Sequence, residues 1–72
     1  MSAELRLVRE LPSATRVRMR CGLEWVDVPA AELKRGHFGW LDVVERDGRF
    51  SRTIGARFFK RFSEFSKRLD PV

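Results

Sequence analysis

The chain has 72 residues, 43% of them hydrophobic, with 15 Lys and Arg against 10 Asp and Glu and a formal net charge of +5. A domain this short buries only about 60% of the surface its unfolded chain exposes, which leaves room for one core but not for a deep catalytic cleft. The apolar content, six phenylalanines included, excludes a disordered segment.

Cys21 is the only cysteine, which excludes an internal disulfide and a cysteine zinc site and fits a reducing, cytoplasmic setting. Met1 to Glu10 is charged every few residues, so neither a signal peptide nor a membrane span is expected. The charge is unevenly placed. From Met1 to Glu45, seven basic residues meet seven acidic ones. From Arg46 to Arg68, Arg46, Arg49, Arg52, Arg57, Lys60, Arg61, Lys67 and Arg68 meet only Asp47 and Glu64. A basic excess of this kind favours an anionic partner.

Residues 1–72 read as a single domain, without repeats or a linker. Residues 1–14 are poorly defined: Leu5, Leu7 and Leu11 suit a short strand or turn that ends at Pro12 and Ser13. From Thr15 to Val28, Val17, Met19 and Cys21 alternate with Arg16, Arg18 and Arg20, the pattern of a half-buried strand. Gly22-Leu23 supplies a two-residue hairpin turn with glycine first. In that register Cys21 faces Glu24, Met19 faces Val26 and Val17 faces Val28, leaving Arg18, Arg20, Trp25 and Asp27 on the opposite face. Pro29 stops the strand, and Ala30 to Arg35 is a helical turn closed by Gly36.

Asp47-Gly48 between two strand-like runs is a strong hairpin signal, so a second hairpin is expected over Phe38 to Ile54. After Gly55, Phe58, Phe62, Phe65 and Leu69 fall on one face of a helix over residues 56–69, closed by Asp70-Pro71. Lys60 with Glu64, and Glu64 with Arg68, are spaced for weak ion pairs. The expected fold is α+β: two β-hairpins over residues 15–54 forming a small antiparallel sheet or partial barrel, with one C-terminal amphipathic helix packed on it. The rival is a helix-turn-helix arrangement in which Leu41 to Arg46 is helical and Ser51 caps one long basic helix.

The chemistry expected is binding, not catalysis. His37 is the only histidine and has no second ligand nearby in sequence, so no metal site follows. Cys21, facing inward, is a small hydrophobe. No phosphate-binding glycine motif is present, and no cofactor is expected. Three features suit binding. The ladder Arg16, Arg18 and Arg20, with Trp25 opposite Arg20, offers bidentate donors and an aromatic ring; as a solvated strand, it would instead pair with Glu24 and Asp27. Arg46 and Arg49, with Arg52 beyond them, make a basic hairpin tip, which also protects an edge strand from aggregation. The phenylalanine stripe of the last helix resembles interfacial and groove-binding helices, although so small a chain needs it for core packing.

The stretch Gly39 to Leu69, with Trp40-Leu41-Asp42-Val43-Val44-Glu45, Gly48-Arg49-Phe50 and a helix ending Glu64-Phe65, resembles the Pur-alpha-type repeats and related coactivator modules that bind single strands. Residues 16–35 are similar, in pattern only, to the opening hairpin of the small archaeal chromatin proteins, which carry a barrel and bind duplex DNA. Both resemblances imply a basic, aromatic sheet face set against nucleic acid. The function expected is therefore a regulatory nucleic-acid-binding module, preferring single strands to duplex, with Arg16, Arg18, Arg20, Trp25, Trp40, Arg46, Arg49 and Arg52 as its surface and a monomer or homodimer as its form. The alternatives are a small protein-binding regulator or inhibitor of a larger host protein, such as phages and mobile elements encode, and a helix-turn-helix DNA binder.

Overall fold

The computed structural model describes residues 4–68. Five strands and two helices follow in the order β1 (Glu4–Leu7), β2 (Arg16–Cys21), β3 (Glu24–Pro29), α1 (Ala30–Arg35), β4 (Asp42–Arg46), β5 (Arg49–Thr53) and α2 (Ala56–Lys67), with a 3-10 turn at Val8–Glu10. The fold is α+β. Residues 41–46 and 51–53 lie in irregular backbone and strands, which removes the helix-turn-helix arrangement.

Both expected hairpins form, each through its turn chemistry. Gly22 takes a left-handed φ of 64° at the first position of the β2–β3 turn, where a glycine carries no steric cost. The register is Cys21 to Glu24, Met19 to Val26 and Val17 to Val28, as the alternation requires. Asp47 and Gly48 both have positive φ, at 56° and 78°, the pair of values that a two-residue turn of the first primed type needs.

The sheet that joins these hairpins differs from the expected antiparallel one. Its strand order is β1-β4-β5-β2-β3, and β2 and β5 run parallel, pairing Val17 with Phe50 and Met19 with Arg52. The sheet is mixed and open, not a barrel. β1 adds a fifth strand beside β4, pairing Leu5 with Val44 and Leu7 with Asp42. It is pinned by Val8 N–H to Leu41 O at 3.0 Å and Arg9 N–H to Gly39 O at 2.8 Å.

One face of the sheet is covered. Val17, Met19, Cys21, Val28 and Val43 from the strands pack with Val8, Leu11, Ala30, Leu33, Phe38, Leu41, Ile54 and Phe62 in one cluster. α1 begins after Pro29, and its free N–H groups are met by Thr15 O at 2.8 Å to Ala30 and Ser13 O at 3.1 Å to Ala31. It ends at Gly36, where an added Cβ would lie 2.5 Å from the Phe65 ring. Phe65 and Phe62 sit 5.2 and 5.7 Å from Phe38, centroid to centroid, in tilted and edge-to-face geometries that aromatic rings favour. Core packing therefore takes up the phenylalanine stripe: Phe62 is fully buried, and Phe58, Phe59 and Phe65 pack against the core. Neither Lys60 with Glu64 nor Glu64 with Arg68 closes an ion pair; among the described residues the pairs are Arg6–Glu4 and Arg35–Glu32. Leu69 and the Asp70-Pro71 stop lie outside the described residues.

Candidate nucleic-acid interface

Strand pairing fixes which side chains share the uncovered face. Residues directly opposite in a sheet point the same way, and alternate residues point to opposite sides. One row crosses the open face through Leu5, Val44, Ser51, Arg18 and Asp27. A second runs through Thr53, Arg20 and Trp25. The third begins with Arg46 opposite Arg49. Because Val17 pairs with Phe50, the preceding residues Arg16 and Arg49 stand side by side.

The parallel β2–β5 junction thus brings the two arginine groups together. Arg46, Arg49 and Arg16 line one end of the open face across three neighbouring strands, spaced by about 4.8 Å per strand. Arg18 and Arg20 continue up β2 in steps of roughly 6.7 Å. Five arginines therefore share this face with two carboxylates, Asp27 and Asp42. A hollow of about 390 Å³ opens among Arg16, Arg18, Arg49 and Asp27. A second, of about 310 Å³, lies one strand over against Arg46, Val44, Ser51 and Thr53.

Trp25 is 45% exposed and leans toward β2. The guanidinium carbon of Arg18 lies 4.8 Å from the centre of its ring, and that of Arg20 5.7 Å away. Arg20 Nε also donates to Gly22 O at 3.2 Å. Among the described residues neither arginine forms an ion pair with Glu24 or Asp27, so their charge is not neutralised within the sheet. Leu5, 62% exposed, and Val44 add apolar surface on the same side.

Two of the residues expected at this surface stand elsewhere. Trp40 precedes β4 and packs its ring 5.0 Å from Phe58 of α2, on the helical side of the sheet. Arg52 pairs with Met19 and alternates with Phe50 and Ile54, so it projects to the covered face, where its Nε is buried without a hydrogen-bond partner. The alternation of Phe50, Arg52 and Ile54 carried that signal in the sequence. Ser51 and Thr53 occupy the open face instead, and nothing about their residue type marks them for it.

Other sites are less polarised. The hollow of about 570 Å³ between the ends of α1 and α2 mixes Arg35, Arg61 and Arg68 with Glu32 and Glu64, and Arg61 is taken up by stacking 4.7 Å over Phe38. His37 lines this hollow from a left-handed position, φ 66°. Among the described residues no three His, Cys, Asp or Glu side chains gather as metal ligands. Cys21 is buried in the core; burial first, and the Glu24 carboxylate second, push its thiol pKa above the ordinary value. That makes it a poor nucleophile. No helix among the described residues is long and apolar enough to cross a membrane.

No protein-family model matches the chain, and no curated protein or solved structure matches it either.

Proposed function

We propose that the protein is a nucleic-acid-binding module whose partner lies across the open face of the sheet. The observation that carries this reading is the convergence of Arg16, Arg18, Arg20, Arg46 and Arg49 on one uncovered surface, drawn from two hairpins that are far apart in sequence. Guanidinium groups match phosphate oxygens bidentately. Five of them on a solvent-facing sheet, beside only two carboxylates, make a surface on which polyanion binding releases counterions. The open, strand-built surface suits an extended backbone better than insertion into a groove, which favours single strands.

Titration into labelled single- and double-stranded oligonucleotides at several salt concentrations, followed by anisotropy, tests the reading. Binding that weakens linearly in log salt, with a slope set by the phosphates neutralised, is the expected result. Absence of binding to either form at physiological salt would reject it. A protein partner is the second reading. It is favoured by the exposed Leu5 and half-buried Val44 on the β1–β4 side of the open face, and by Trp25 and the arginines across the rest of it, since Trp and Arg are enriched at interface hot spots. A nuclease-resistant stoichiometric protein complex would support it in place of nucleic acid.

A further inference from the structure

Aromatic side chains on nucleic-acid-binding sheets commonly act as stacking platforms for bases. Trp25 is differently placed. Two guanidinium groups already lie over its ring, at 4.8 and 5.7 Å, within the range where a cation is held by the ring quadrupole. A base stacking on the ring face that the guanidinium groups cover has to compete with them for the same π surface. We infer that Trp25 is a positioning residue that holds Arg18 and Arg20 for phosphate, and that the open face grips the sugar-phosphate backbone without reading or stacking its bases. This rests on the nucleic-acid reading above.

Three features of the face agree. Arg20 spends its Nε on Gly22 O, which fixes the stem of the guanidinium and leaves its two terminal nitrogens free. Those nitrogens form the bidentate edge that phosphate takes. The hollow beside Arg18 is lined by Arg16 and Arg49 as well, so three basic side chains border one volume large enough for a phosphate group. Apart from Asp27, the remaining lining residues are Thr15, Gly48 and Phe50; Phe50 alternates onto the covered face and packs against the core, and Trp40, the other exposed aromatic ring, sits on the helical side against Phe58. Asp27 borders the same hollow. As the acidic group opposite Arg18, it restrains anion binding, so Asp27→Asn tightens binding.

The test compares a single-stranded oligodeoxynucleotide with an abasic strand of the same length and charge, for the unaltered protein and for Trp25→Ala and Trp25→Phe. The expected result has three parts. The unaltered protein binds both strands within about twofold. Trp25→Ala weakens both by the same factor, roughly three- to tenfold, because two arginines lose their support. Trp25→Phe, which keeps a ring beneath the guanidinium groups, restores most of the affinity for both. A base-bearing strand bound ten or more times tighter than the abasic one, with the difference erased by Trp25→Ala, overturns the inference while leaving the nucleic-acid reading standing. Binding to neither strand overturns both. Circular dichroism of each variant shows that the sheet is retained; Trp25 is on an edge strand and outside the core cluster.

Discussion

Val17 of β2 pairs with Phe50 of β5 in parallel register, and this contact joins two hairpins that are otherwise separate. Its two side chains point into the core while their predecessors, Arg16 and Arg49, stand together on the open face. The same junction that closes the core therefore assembles the basic surface, and a substitution that loosened it would damage both.

The core has one member that the fold can least spare. Phe62 is fully buried and meets Phe38 edge to face. Truncation of a buried phenylalanine costs about 3–5 kcal/mol, a large share of the roughly 4–11 kcal/mol available to a chain of this size. Phe62→Ala is expected to unfold the protein largely or wholly in mild urea, whereas Phe62→Leu remains folded with a lower midpoint. Chemical denaturation followed by circular dichroism checks both.

Gly36 is held by space and not by backbone conformation. Its φ is −82°, open to any residue, but a Cβ there would meet the Phe65 ring at 2.5 Å. Gly36→Ala is expected to destabilise by about 1–3 kcal/mol, the ordinary cost of overpacking. Adding Phe65→Leu to it should recover part of the loss, which a double-mutant cycle measures.

Burial raises the Cys21 thiol pKa above that of the unfolded chain, with the Glu24 carboxylate adding to it. Below the unfolded value, about 8.5, both states carry the proton and stability does not depend on this group. As pH rises through that value the unfolded state ionises first, so stability falls. Thermal midpoints between pH 7 and 9.5 should decline, and the Cys21→Ala variant, though less stable throughout, should decline less. Modification of Cys21 by a thiol reagent should be slow until the protein is unfolded.

Much of the fold was legible because its turns are local chemistry. Gly22-Leu23 and Asp47-Gly48 each set a register that the neighbouring alternation of Val17, Met19 and Cys21, or Phe50 and Ile54, then confirms by side. Strand order was not legible. The pairing of β2 with β5 depends on which faces the helices cover, and no residue in either strand encodes a parallel partner. β1 was legible only as a short strand or turn around Leu5 and Leu7, because these leucines point to the open face while Glu4 and Arg6 pair on the other side, the reverse of the usual hydrophobic logic. Of the candidate surface, the arginine ladder and Trp25 followed from alternation alone. Trp40 did not, since a residue in the Gly39 to Leu41 connection has no strand parity to place it.

Arg52 and Arg49 offer a control of equal charge on opposite faces. The Arg52 guanidinium is partly desolvated, with its Nε unpartnered, and a buried polar group without a partner costs stability. Arg52→Met is expected to leave the thermal midpoint unchanged or raise it. It should lower oligonucleotide affinity less than Arg49→Met, which removes the same charge from the open face.

The open face is tested most directly by a charge-matched pair of double variants titrated with one single-stranded oligonucleotide across a salt series. Arg16→Gln with Arg49→Gln removes two charges from the sheet; Lys60→Gln with Lys67→Gln removes two from the exposed side of α2. Loss of about 1.4 units from the log-log salt slope, about 0.7 for each phosphate contact to a single strand, with a fall in affinity of roughly tenfold or more, is expected for the arginine pair and not for the lysine pair. Equal effects from both pairs, or a larger one from the lysines, would contradict a binding surface on the open face of the sheet.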